Sequence, residues 1–422
     1  MSTPSRYHLV TLGCPKNEVD SDKLEGTLVG DGMTATDDPS EADLVVVNTC
    51  AFIEDARQES IDTVLALDDL RRDDARLVVT GCMAERYGDE LAEALPEVDS
   101  VAGFGVPVTF GRKPLGIEVS TEAVPSFDLL NLPRPRSPRP WAYVKIAEGC
   151  DRACGFCAIP SFRGAQRSRS VSEVLTEVEQ LEAQEIVLVA QDLASYGRDD
   201  GRPGDIVPLV DAVAERVERV RLLYLYPSDL NDRLIEAICR TGVPYFDLSL
   251  QHVSAPLVRR MRRWGNGAKF LDRIEAIRAR EPDAAFRSNF IVGYPGETED
   301  DHQQLLEFVE AAQLDWCGFF TYSREDGTYA ADLDGEVPFD LMQERLRELT
   351  DLQDRITAAR RAAAIGTTQR LLIDEVGVGR SHREAPEIDG IVRVDESLTP
   401  GTFVDVEITD SFGPDLEAVV TT

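Results

Sequence analysis

Three closely spaced cysteines, Cys150, Cys154 and Cys157, most constrain what this chain can fold into, because they follow directly on the predicted strand WAYVKIAEG. Their spacing, CDRACGFC, lets one loop wrap a corner of a cubane 4Fe–4S cluster, with three thiolates on three irons and the fourth iron open. A structural zinc site wants a fourth ligand, and none is adjacent in the sequence. The spacing therefore favours an iron–sulfur loop over zinc or free thiols.

An open iron is what an S-adenosylmethionine (SAM) enzyme needs. The methionine amino and carboxylate groups of SAM chelate that iron, and an electron then breaks a carbon–sulfur bond to give a 5′-deoxyadenosyl radical. Phe156, which precedes the third cysteine, is a candidate to lie against the adenine. Packing of Phe156 under the loop is an equally good interpretation.

A second trio, Cys14, Cys50 and Cys82, is scattered in sequence, but each member follows a predicted strand: HLVTLG, LVVVNT and LVVTG. The carboxyl ends of parallel strands lie on one edge of a sheet, where α/β folds bind their ligands. The trio therefore predicts a second cluster with an open iron, while the alternative is three partly buried cysteines that pack as small hydrophobic residues. Cys239 and Cys317 lack such company and are predicted to be core residues.

The pattern of strands and helices divides the chain into parts of different fold class. Residues 5–118 alternate β-branched runs with amphipathic helices, which predicts a parallel α/β sheet, and residues 119–140, rich in proline, predict a linker. Residues 141–366 carry six strand–helix repeats, which suit a partial (β/α)6 barrel with its site at the carboxyl ends of the strands. Residues 367–422 hold short strands between turns and predict a small all-β barrel.

The charge balance restricts the partners. Asp and Glu number 77 against 44 Lys and Arg, which gives a net charge of −33. Such a field repels nucleic acid and suits a basic partner, although solubility or adaptation to a salty cytoplasm explains it equally well. We find neither a secretory signal nor an apolar run of membrane-spanning length, and we therefore expect a cytoplasmic protein without a membrane partner.

Seven stretches of the sequence resemble the radical SAM methylthiotransferases. They are LGCPKN (12–17), NTCAFI with ESIDT (48–63), EGCDRACGFCAIPSFRG (148–164), YLYPSDL (224–230), DLSLQH (247–252), FIVGYPGET (290–298) and APEIDG (385–390). These motifs span the whole chain. They are more similar to the branch of the RimO type, which modifies a ribosomal protein, than to the tRNA-modifying MiaB type.

The resemblance implies an N-terminal three-cysteine domain, a radical SAM core and a C-terminal TRAM barrel. It implies two 4Fe–4S clusters, with ligands that match Cys14, Cys50 and Cys82 for the auxiliary cluster and Cys150, Cys154 and Cys157 for the SAM cluster. One SAM supplies the radical and another supplies a methyl group, so that one aspartate of protein twelve of the small ribosomal subunit gains a β-methylthio group. The implied partners are that basic protein, a sulfur donor, and an electron donor such as flavodoxin or ferredoxin.

The composition of the terminal barrel bears on the choice of substrate. Residues 367–422 contain four Arg, no Lys and twelve Asp or Glu, a net charge of −8. An RNA-binding barrel should carry a basic face, so this composition favours a basic protein over tRNA. The chain departs from the family pattern at Glu18, Ser249 and Tyr329, where an apolar residue, proline and proline are usual.

Arginines that follow the loop of Cys150, Cys154 and Cys157 are candidate ligands of a substrate carboxylate. They are Arg163, Arg167 and Arg169, and ion pairs between the loop and a helix are the alternative. Gln191 ends the second barrel strand, where polar groups face the site, and is a candidate SAM contact.

Three other features of the sequence are interpreted from their surroundings. The resemblance places Ile291 near the adenine. His252 is predicted to make structural hydrogen bonds, and the run RRMRR (259–263) is predicted to be a solvated helix face.

Two alternatives to a ribosomal-protein methylthiotransferase remain at this point. The first keeps the chemistry and changes the substrate to an adenosine of tRNA. The second is a non-catalytic protein that uses iron–sulfur clusters or zinc for structure or electron transfer, and that protein would not cleave SAM.

Overall fold

The computed structural model describes residues 5–108 and 128–421, in two compact units. The first unit comprises the described residues up to Arg136 together with Ala147–Asp151 and Ala158–Glu173. The second comprises Ser137–Ile146, Arg152–Cys157 and the chain from Val174 onward. The predicted domain boundaries stay predictions, and part of the predicted linker, residues 119–127, lies outside the described residues.

The first unit is built on a parallel sheet. Its elements up to residue 102 are β1 (Arg6–Thr11), α1 (Pro15–Gly30), β2 (Thr34–Ala35), β3 (Leu44–Thr49), α2 (Glu54–Leu70), β4 (Arg76–Gly81), α3 (Cys82–Ala94) and β5 (Ser100–Ala102). The strands pair in the order β2-β1-β3-β4-β5, and every pairing is parallel. This is the flavodoxin-like, doubly wound order, in which ligands bind at the carboxyl ends of the strands beside the switch point between β1 and β3.

The apolar runs of the sequence account for this sheet. Every residue of β3 is buried, and Val45 and Val47 belong to one hydrophobic cluster while Leu44 and Val46 belong to another. Successive side chains of a strand point to opposite faces, so a strand covered by helices on both sides must be apolar throughout. The predicted parallel α/β sheet is confirmed.

The described part of the proline-rich segment packs against α1. A 3-10 turn spans Leu129–Asn131, and both leucines of this turn are buried. Arg134 forms an ion pair of 2.7 Å with Asp22, and the backbone at Pro133 lies so close to Gly26 that a Cβ there would clash with it. Residues 128–136 are therefore part of the first unit's core.

The chain from 141 to 362 alternates strands and helices. The elements are β6 (Trp141–Lys145), β7 (Ala147–Glu148), α4 (Ile159–Arg163), β8 (Arg167–Ser168), α5 (Val171–Leu181), β9 (Glu185–Val189), α6 (Ile206–Ala214), β10 (Arg219–Leu222), α7 (Asp232–Arg240), β11 (Tyr245–Gln251), α8 (Ala255–Arg260), α9 (Gly267–Arg280), β12 (Ala285–Val292), α10 (Glu299–Ala312), β13 (Trp316–Thr321) and α11 (Phe339–Ala362). Of these, β7, α4 and β8 belong to the first unit, where β7 and β8 pair antiparallel.

The second unit arranges its strands as a partial barrel. Two parallel three-stranded sheets, β6-β9-β10 and β11-β12-β13, are joined by a parallel bridge between Leu225 and Leu248. The strands follow chain order because each one is connected to the next by a helical crossover, as in a (β/α) barrel. The six-stranded partial barrel predicted from the sequence is confirmed.

A closed five-stranded barrel ends the chain, again as predicted. Its strands are β14 (Thr368–Glu375), β15 (Val378–Arg380), β16 (Val392–Arg393), β17 (Phe403–Phe412) and β18 (Asp415–Val420). They close in the order β14-β15-β16-β18-β17 around a core that includes Leu371, Ile373, Val406 and Ile408. No helix in the described residues is long and apolar enough to cross a membrane.

Within the second unit, the connection between β15 and β16 packs against the amino-terminal ends of the barrel strands. Tyr143 of β6 donates to the Pro386 carbonyl at 3.0 Å, and Trp316 of β13 donates to the Arg383 carbonyl at 2.7 Å. Tyr245 of β11 donates to Asp389 at 2.6 Å. The APEIDG motif therefore lies at the end of the barrel opposite to the end where such folds place their chemistry.

A buried group of charged side chains also stabilises the contact between β15 and the barrel strands β9 and β10. Glu185, at the start of β9, accepts from Arg221 at 2.8 Å and lies 3.3 Å from Arg380 of β15, and these side chains are at most 2% exposed. Burial disfavours the charged carboxylate, but Arg221 and Arg380 outweigh that effect and lower the pKa of Glu185 to about 2.

We expect Glu185→Ala to lower the free energy of unfolding by about 3–5 kcal/mol, because it removes the carboxylate that pairs with the buried guanidinium group of Arg221, while Arg380 keeps its pair with Asp374. Glu218→Ala, which breaks the exposed pair with Arg370, should cost at most about 1 kcal/mol. Urea unfolding at several pH values measures both. Because the folded pKa of Glu185 is lowered, its contribution is complete above about pH 4.5 and is lost as the pH falls towards 2. Equal losses in the two variants would contradict this assignment.

Candidate functional site

The trio of Cys14, Cys50 and Cys82 lies at the carboxyl edge of the first unit's sheet. Cys14 follows β1 and is the N-cap of α1, Cys50 directly follows β3, and Cys82 is the first residue of α3, directly after β4. Cys50 and Cys82 are each 7% exposed. Parallel pairing of these three strands brings the thiols together at the switch point, as the sequence predicts.

Glycines allow the thiols to approach one another. Gly13 has a φ of +99°, and a Cβ at this position would lie 2.8 Å from the Cβ of Cys50. Gly81 has a φ of +90°, and a Cβ there would collide with the side-chain oxygen of Asn48. Both positions therefore require the left-handed backbone and the missing side chain that only glycine offers without strain.

Asn17 ties the edge of the sheet together, although the sequence did not single it out. Its side-chain nitrogen donates to the carbonyls of Leu12 at 2.9 Å and Thr49 at 3.0 Å, and so joins the ends of β1 and β3. Its side-chain oxygen lies 3.4 Å from the Cys82 thiol. The only sequence signal for Asn17 was its place in the LGCPKN motif.

Arg163, the last residue of α4, reaches the same thiols. Its Nη2 lies 3.0 Å from the Sγ of Cys82 and donates to the side-chain oxygen of Asn17 at 2.7 Å. Its Nη1 donates to Glu148 at 2.9 Å, and both terminal nitrogens lie 3.3 Å from Asp20. The side chain is 2% exposed and paired with Asp20 of α1, so this position fits the ion pair between the loop and a helix and does not fit a substrate carboxylate.

The electrostatic environment differs among the three thiols. Burial, together with a smaller effect of the neighbouring Cys14, raises the pKa of Cys50 to about 12. Burial also raises the pKa of Cys82, against the opposing effect of Arg163. At Cys14 burial acts in the same direction, but Lys16 and Arg163 outweigh it, and the pKa falls below its ordinary value. Cys14 affects both Cys50 and Cys82 because the three residues lie near one another at this edge of the sheet.

The members of the other trio, Cys150, Cys154 and Cys157, belong to different units. Cys150, in the first unit, is 9% exposed, and its amide donates to the Gly164 carbonyl at 3.1 Å. Cys154 and Cys157 are in the second unit and form a turn in which the Cys157 amide donates to the Cys154 carbonyl at 3.2 Å.

The turn of Cys154 and Cys157 is clamped by its own unit. The amide of Gly155 donates to the Met261 carbonyl at 2.8 Å, and its carbonyl accepts from the Ala330 amide at 2.7 Å. A Cβ on Gly155 would lie 2.7 Å from the hydroxyl of Tyr294 and 3.1 Å from the ring of Tyr329. Residues after β11, β12 and β13 therefore hold the turn at the carboxyl end of the barrel.

Arg263 changes the interpretation of the RRMRR run. Its Nη1 donates to the Sγ of Cys154 at 3.0 Å, and its Nη2 donates to the carbonyl of Ser249. The helix α8 ends at Arg260, so Arg263 lies in the loop beyond it. The prediction of a solvated helix face is wrong for Arg263, because the loop turns this side chain onto the cysteine turn.

Two guanidinium groups lie against the ring of Tyr226, which follows β10. Arg263 is 4.4 Å and Arg152 is 3.9 Å from the ring centre. Arg152, from the segment between Cys150 and Cys154, also pairs with Asp192 at 2.6 Å and with Asp229. These contacts fasten the start of the cysteine turn to the ends of β9 and β10.

The remaining predicted residues fall into separate environments. Phe156 and Ile291 pack against one apolar cluster that contains Met261 and Tyr294, beside the clamped turn. Gln191 is half-buried just beyond β9. His252 is fully buried, and burial lowers its pKa to about 3, which keeps the ring neutral near pH 7.

Arg167 and Arg169 are paired within the first unit. Arg167 bonds to Asp128 at 2.8 Å and keeps 36% of its side chain exposed. Arg169 is 4% exposed and donates to the side-chain oxygen of Asn131 at 3.0 Å. Arg169 therefore does not suit a substrate carboxylate, while Arg167 stays a candidate.

The donor chemistry at both places fits an iron–sulfur cluster. In the described part of the chain, no three side chains of His, Cys, Asp or Glu are arranged as they stand to hold a single metal ion. Each trio does, however, have a thiol beside a guanidinium group: Cys82 with Arg163 and Cys154 with Arg263. Such donors stabilise thiolate ligands, which a cluster of negative total charge requires.

Comparisons with protein families agree with the three parts of the chain. Residues 6–103 match a family described as uncharacterized protein family UPF0004, residues 144–309 match the radical SAM superfamily, and residues 365–421 match the TRAM domain.

Curated proteins from several bacteria are similar to the chain over nearly all of its length. Those of Cutibacterium acnes (41% identical, 97% of each chain), Saccharopolyspora erythraea (43%, 91% of this chain and 88% of the other) and Myxococcus xanthus (41%, 99% and 92%) are each named ribosomal protein uS12 methylthiotransferase RimO. Among solved structures, the radical SAM methyltransferase TsrM of Kitasatospora setae, with cobalamin and a 4Fe–4S cluster bound, aligns with a TM-score of 0.52 at 14% identity. The alignment covers 78% of this chain and 77% of that one, and this likeness concerns the fold alone.

Proposed function

The chain belongs to the RimO family of ribosomal protein uS12 methylthiotransferases, and from that premise we propose that it inserts sulfur and a methyl group at the β carbon of an aspartate in uS12. The observation that carries the proposal is the identity of 41–43% to RimO proteins over at least 91% of the chain. Such a match spans both cysteine trios and the terminal barrel together.

We propose that Cys14, Cys50 and Cys82 hold an auxiliary 4Fe–4S cluster and that Cys150, Cys154 and Cys157 hold the SAM-binding cluster. When bound, these groups supply reductive cleavage of SAM and a site for a sulfur species. The support is chemical: two sets of three thiols, each with one thiol accepting a hydrogen bond from an arginine. SAM and two clusters are therefore the proposed cofactors.

The residues around the Cys154–Cys157 turn have definable tasks in this reaction. The clamp on Gly155 holds the turn at one distance from the strand ends. Phe156 and Ile291, packed with Met261, form an apolar surface that suits an adenine ring and excludes water. Gln191, at the end of β9, is the proposed polar contact to SAM.

The terminal barrel supports a protein substrate over tRNA. Eight of its twelve acidic residues are exposed: Glu375, Glu387, Asp395, Glu396, Asp405, Glu407, Asp410 and Glu417. Its two exposed arginines are neutralised by carboxylates, Arg370 by Glu218 at 2.9 Å and Arg393 by Asp415 at 3.3 Å. A surface of this sign repels phosphate and attracts a basic protein.

The experiment compares a strain that lacks this gene with the same strain carrying it. Mass spectrometry of uS12 should show the methylthio group only in the complemented strain, while the modified nucleosides of tRNA should be identical in both. Loss of a tRNA methylthio group with unchanged uS12 would instead favour the tRNA-modifying alternative. The absence of 5′-deoxyadenosine from reconstituted protein with dithionite and SAM would favour the non-catalytic alternative.

We further propose that the reaction takes place in the cytoplasm, with a small electron-transfer protein such as flavodoxin or ferredoxin as reductant and a separate sulfur donor. In the described residues, the finding that bears on location is the lack of a membrane-spanning helix. Replacement of dithionite by purified flavodoxin or ferredoxin in the same SAM-cleavage assay tests the choice of reductant.

A further inference from the structure

The guanidinium group of Arg163 is enclosed among the thiols of the first unit. Besides its contacts with Cys82 and Asn17, it lies 4.5 Å from the ring centre of Phe104, and its side chain is 2% exposed. A cation at this depth is costly unless it is paired and hydrogen-bonded. Its two terminal nitrogens meet that demand with two carboxylates, an amide oxygen and a thiol, which leaves them no part in binding a substrate.

We propose that Arg163 is a positioning residue that sets the reduction potential of the cluster held by Cys14, Cys50 and Cys82. The inference rests on the proposed function, since it assumes that this trio holds a cluster. It goes further by assigning the control of that cluster to one arginine, which donates to the sulfur of Cys82 and supplies a buried positive charge.

The direction of the effect follows from the charges. Reduction adds one negative charge to the cluster, so a cation nearby stabilises the reduced form more than the oxidised form. A hydrogen bond to a ligand sulfur acts in the same direction, because the donor also stabilises the added negative charge. Net charge and hydrogen bonds to the sulfurs are both among the factors that set the potentials of such clusters. Burial strengthens both effects, because charges interact more strongly at low effective dielectric constant. Arg163 should therefore raise the reduction potential.

Replacement of Asp20 provides a test in which the expected shift of the potential has the opposite sign. Its side chain is 2% exposed and its carboxylate lies 3.3 Å from both terminal nitrogens of Arg163, so it reduces the positive charge that the thiols experience. Its replacement by asparagine keeps the shape and removes the negative charge. If Arg163 acts electrostatically, Asp20→Asn must move the potential in the direction opposite to Arg163→Gln, whereas mere disturbance of the fold would move both in one direction.

The experiment uses the full chain with Cys150, Cys154 and Cys157 changed to alanine, so that one cluster remains. Iron and sulfide contents are measured first, and the midpoint potential is then measured by electron paramagnetic resonance during a redox titration. Arg163→Gln should make the cluster at least tenfold harder to reduce, which corresponds to 59 mV for one electron. Arg163→Lys should give a smaller shift in the same direction, and Asp20→Asn should make reduction easier.

Arg134→Gln is the matched control. Arg134 is also an arginine of the first unit with a side chain 2% exposed, and its ion pair is with Asp22. The change should alter the reduction equilibrium by less than threefold. An unchanged potential in Arg163→Gln, or equal shifts in Arg163→Gln and Arg134→Gln, would overturn the inference.

Two further outcomes are decided by the same series. If Arg163→Gln takes up no iron, Asp20→Asn decides: easier reduction supports the inference and an unchanged potential overturns it. If the parent triple variant itself holds no cluster, the two-cluster assignment fails and the inference fails with it. Iron and sulfide contents separate that case from a cluster whose reduction potential does not depend on Arg163.

Discussion

Replacement of Cys154 by alanine is expected to reduce the release of 5′-deoxyadenosine from SAM to background and to abolish methylthiolation of uS12. The reason is that Cys154 is a proposed ligand and that its sulfur is also the acceptor for Arg263. Two remaining thiols cannot hold a cubane with a single open iron. Both products should disappear together, since no radical forms.

The measurement combines three readouts on one anaerobically reconstituted sample. Iron and sulfide should fall from about eight to about four per chain, because the auxiliary cluster keeps its three thiols. Cys239→Ala is the matched control: Cys239 lies in α7, away from both trios in sequence, and its change should leave all three readouts intact. Retained SAM cleavage in Cys154→Ala, or full iron content without cleavage, would contradict the assignment of this turn.

Replacement of Cys82 by alanine is expected to separate the two halves of the reaction. The release of 5′-deoxyadenosine should continue, because Cys150, Cys154 and Cys157 are unchanged, whereas methylthiolated uS12 should fall to background. Cys82 is the proposed ligand in closest contact with Arg163, and it is also beside Asn17. Its loss removes one of three iron ligands and leaves a buried guanidinium group facing an empty position.

Chromatography of 5′-deoxyadenosine and mass spectrometry of uS12 from one reaction mixture test this separation. Cys317→Ala is a suitable control, because Cys317 lies in β13 of the second unit and is predicted to be a core residue. It should affect neither product. If Cys82→Ala still produced methylthiolated uS12, the auxiliary cluster would not be the site that binds the sulfur species.

The sequence was sufficient for the fold class because that information is local. Continuous β-branched runs such as LVVVNT mark buried parallel strands, and a cysteine directly after each such run predicts a common edge. The structure agrees: Cys14, Cys50 and Cys82 follow β1, β3 and β4. The spacing of Cys150, Cys154 and Cys157 similarly predicts a cluster loop without any long-range contact.

The partners of Arg163 and Arg263 could not be predicted from such local patterns. The sequence left Arg163 between a substrate carboxylate and an ion pair with a helix, and it did not name the partner, Asp20 of α1, which is 143 residues away in sequence. Arg263 was predicted to face solvent, yet it reaches Cys154, which is 109 residues away. Charge runs and loop positions show that a cation is present, but they carry no information on which distant acceptor it meets.

The sequence by itself determined the order of the strands and helices, the two cysteine trios and the family, because each depends on periodicity or spacing along the chain. Only the tertiary structure decided which arginines lie beside Cys82 and Cys154, that Asn17 joins two strand ends, and that the APEIDG motif packs against the amino-terminal ends of the barrel strands. The physical reason is that a buried charge must be compensated by whatever group the packing brings to it, and packing joins residues that no local pattern connects.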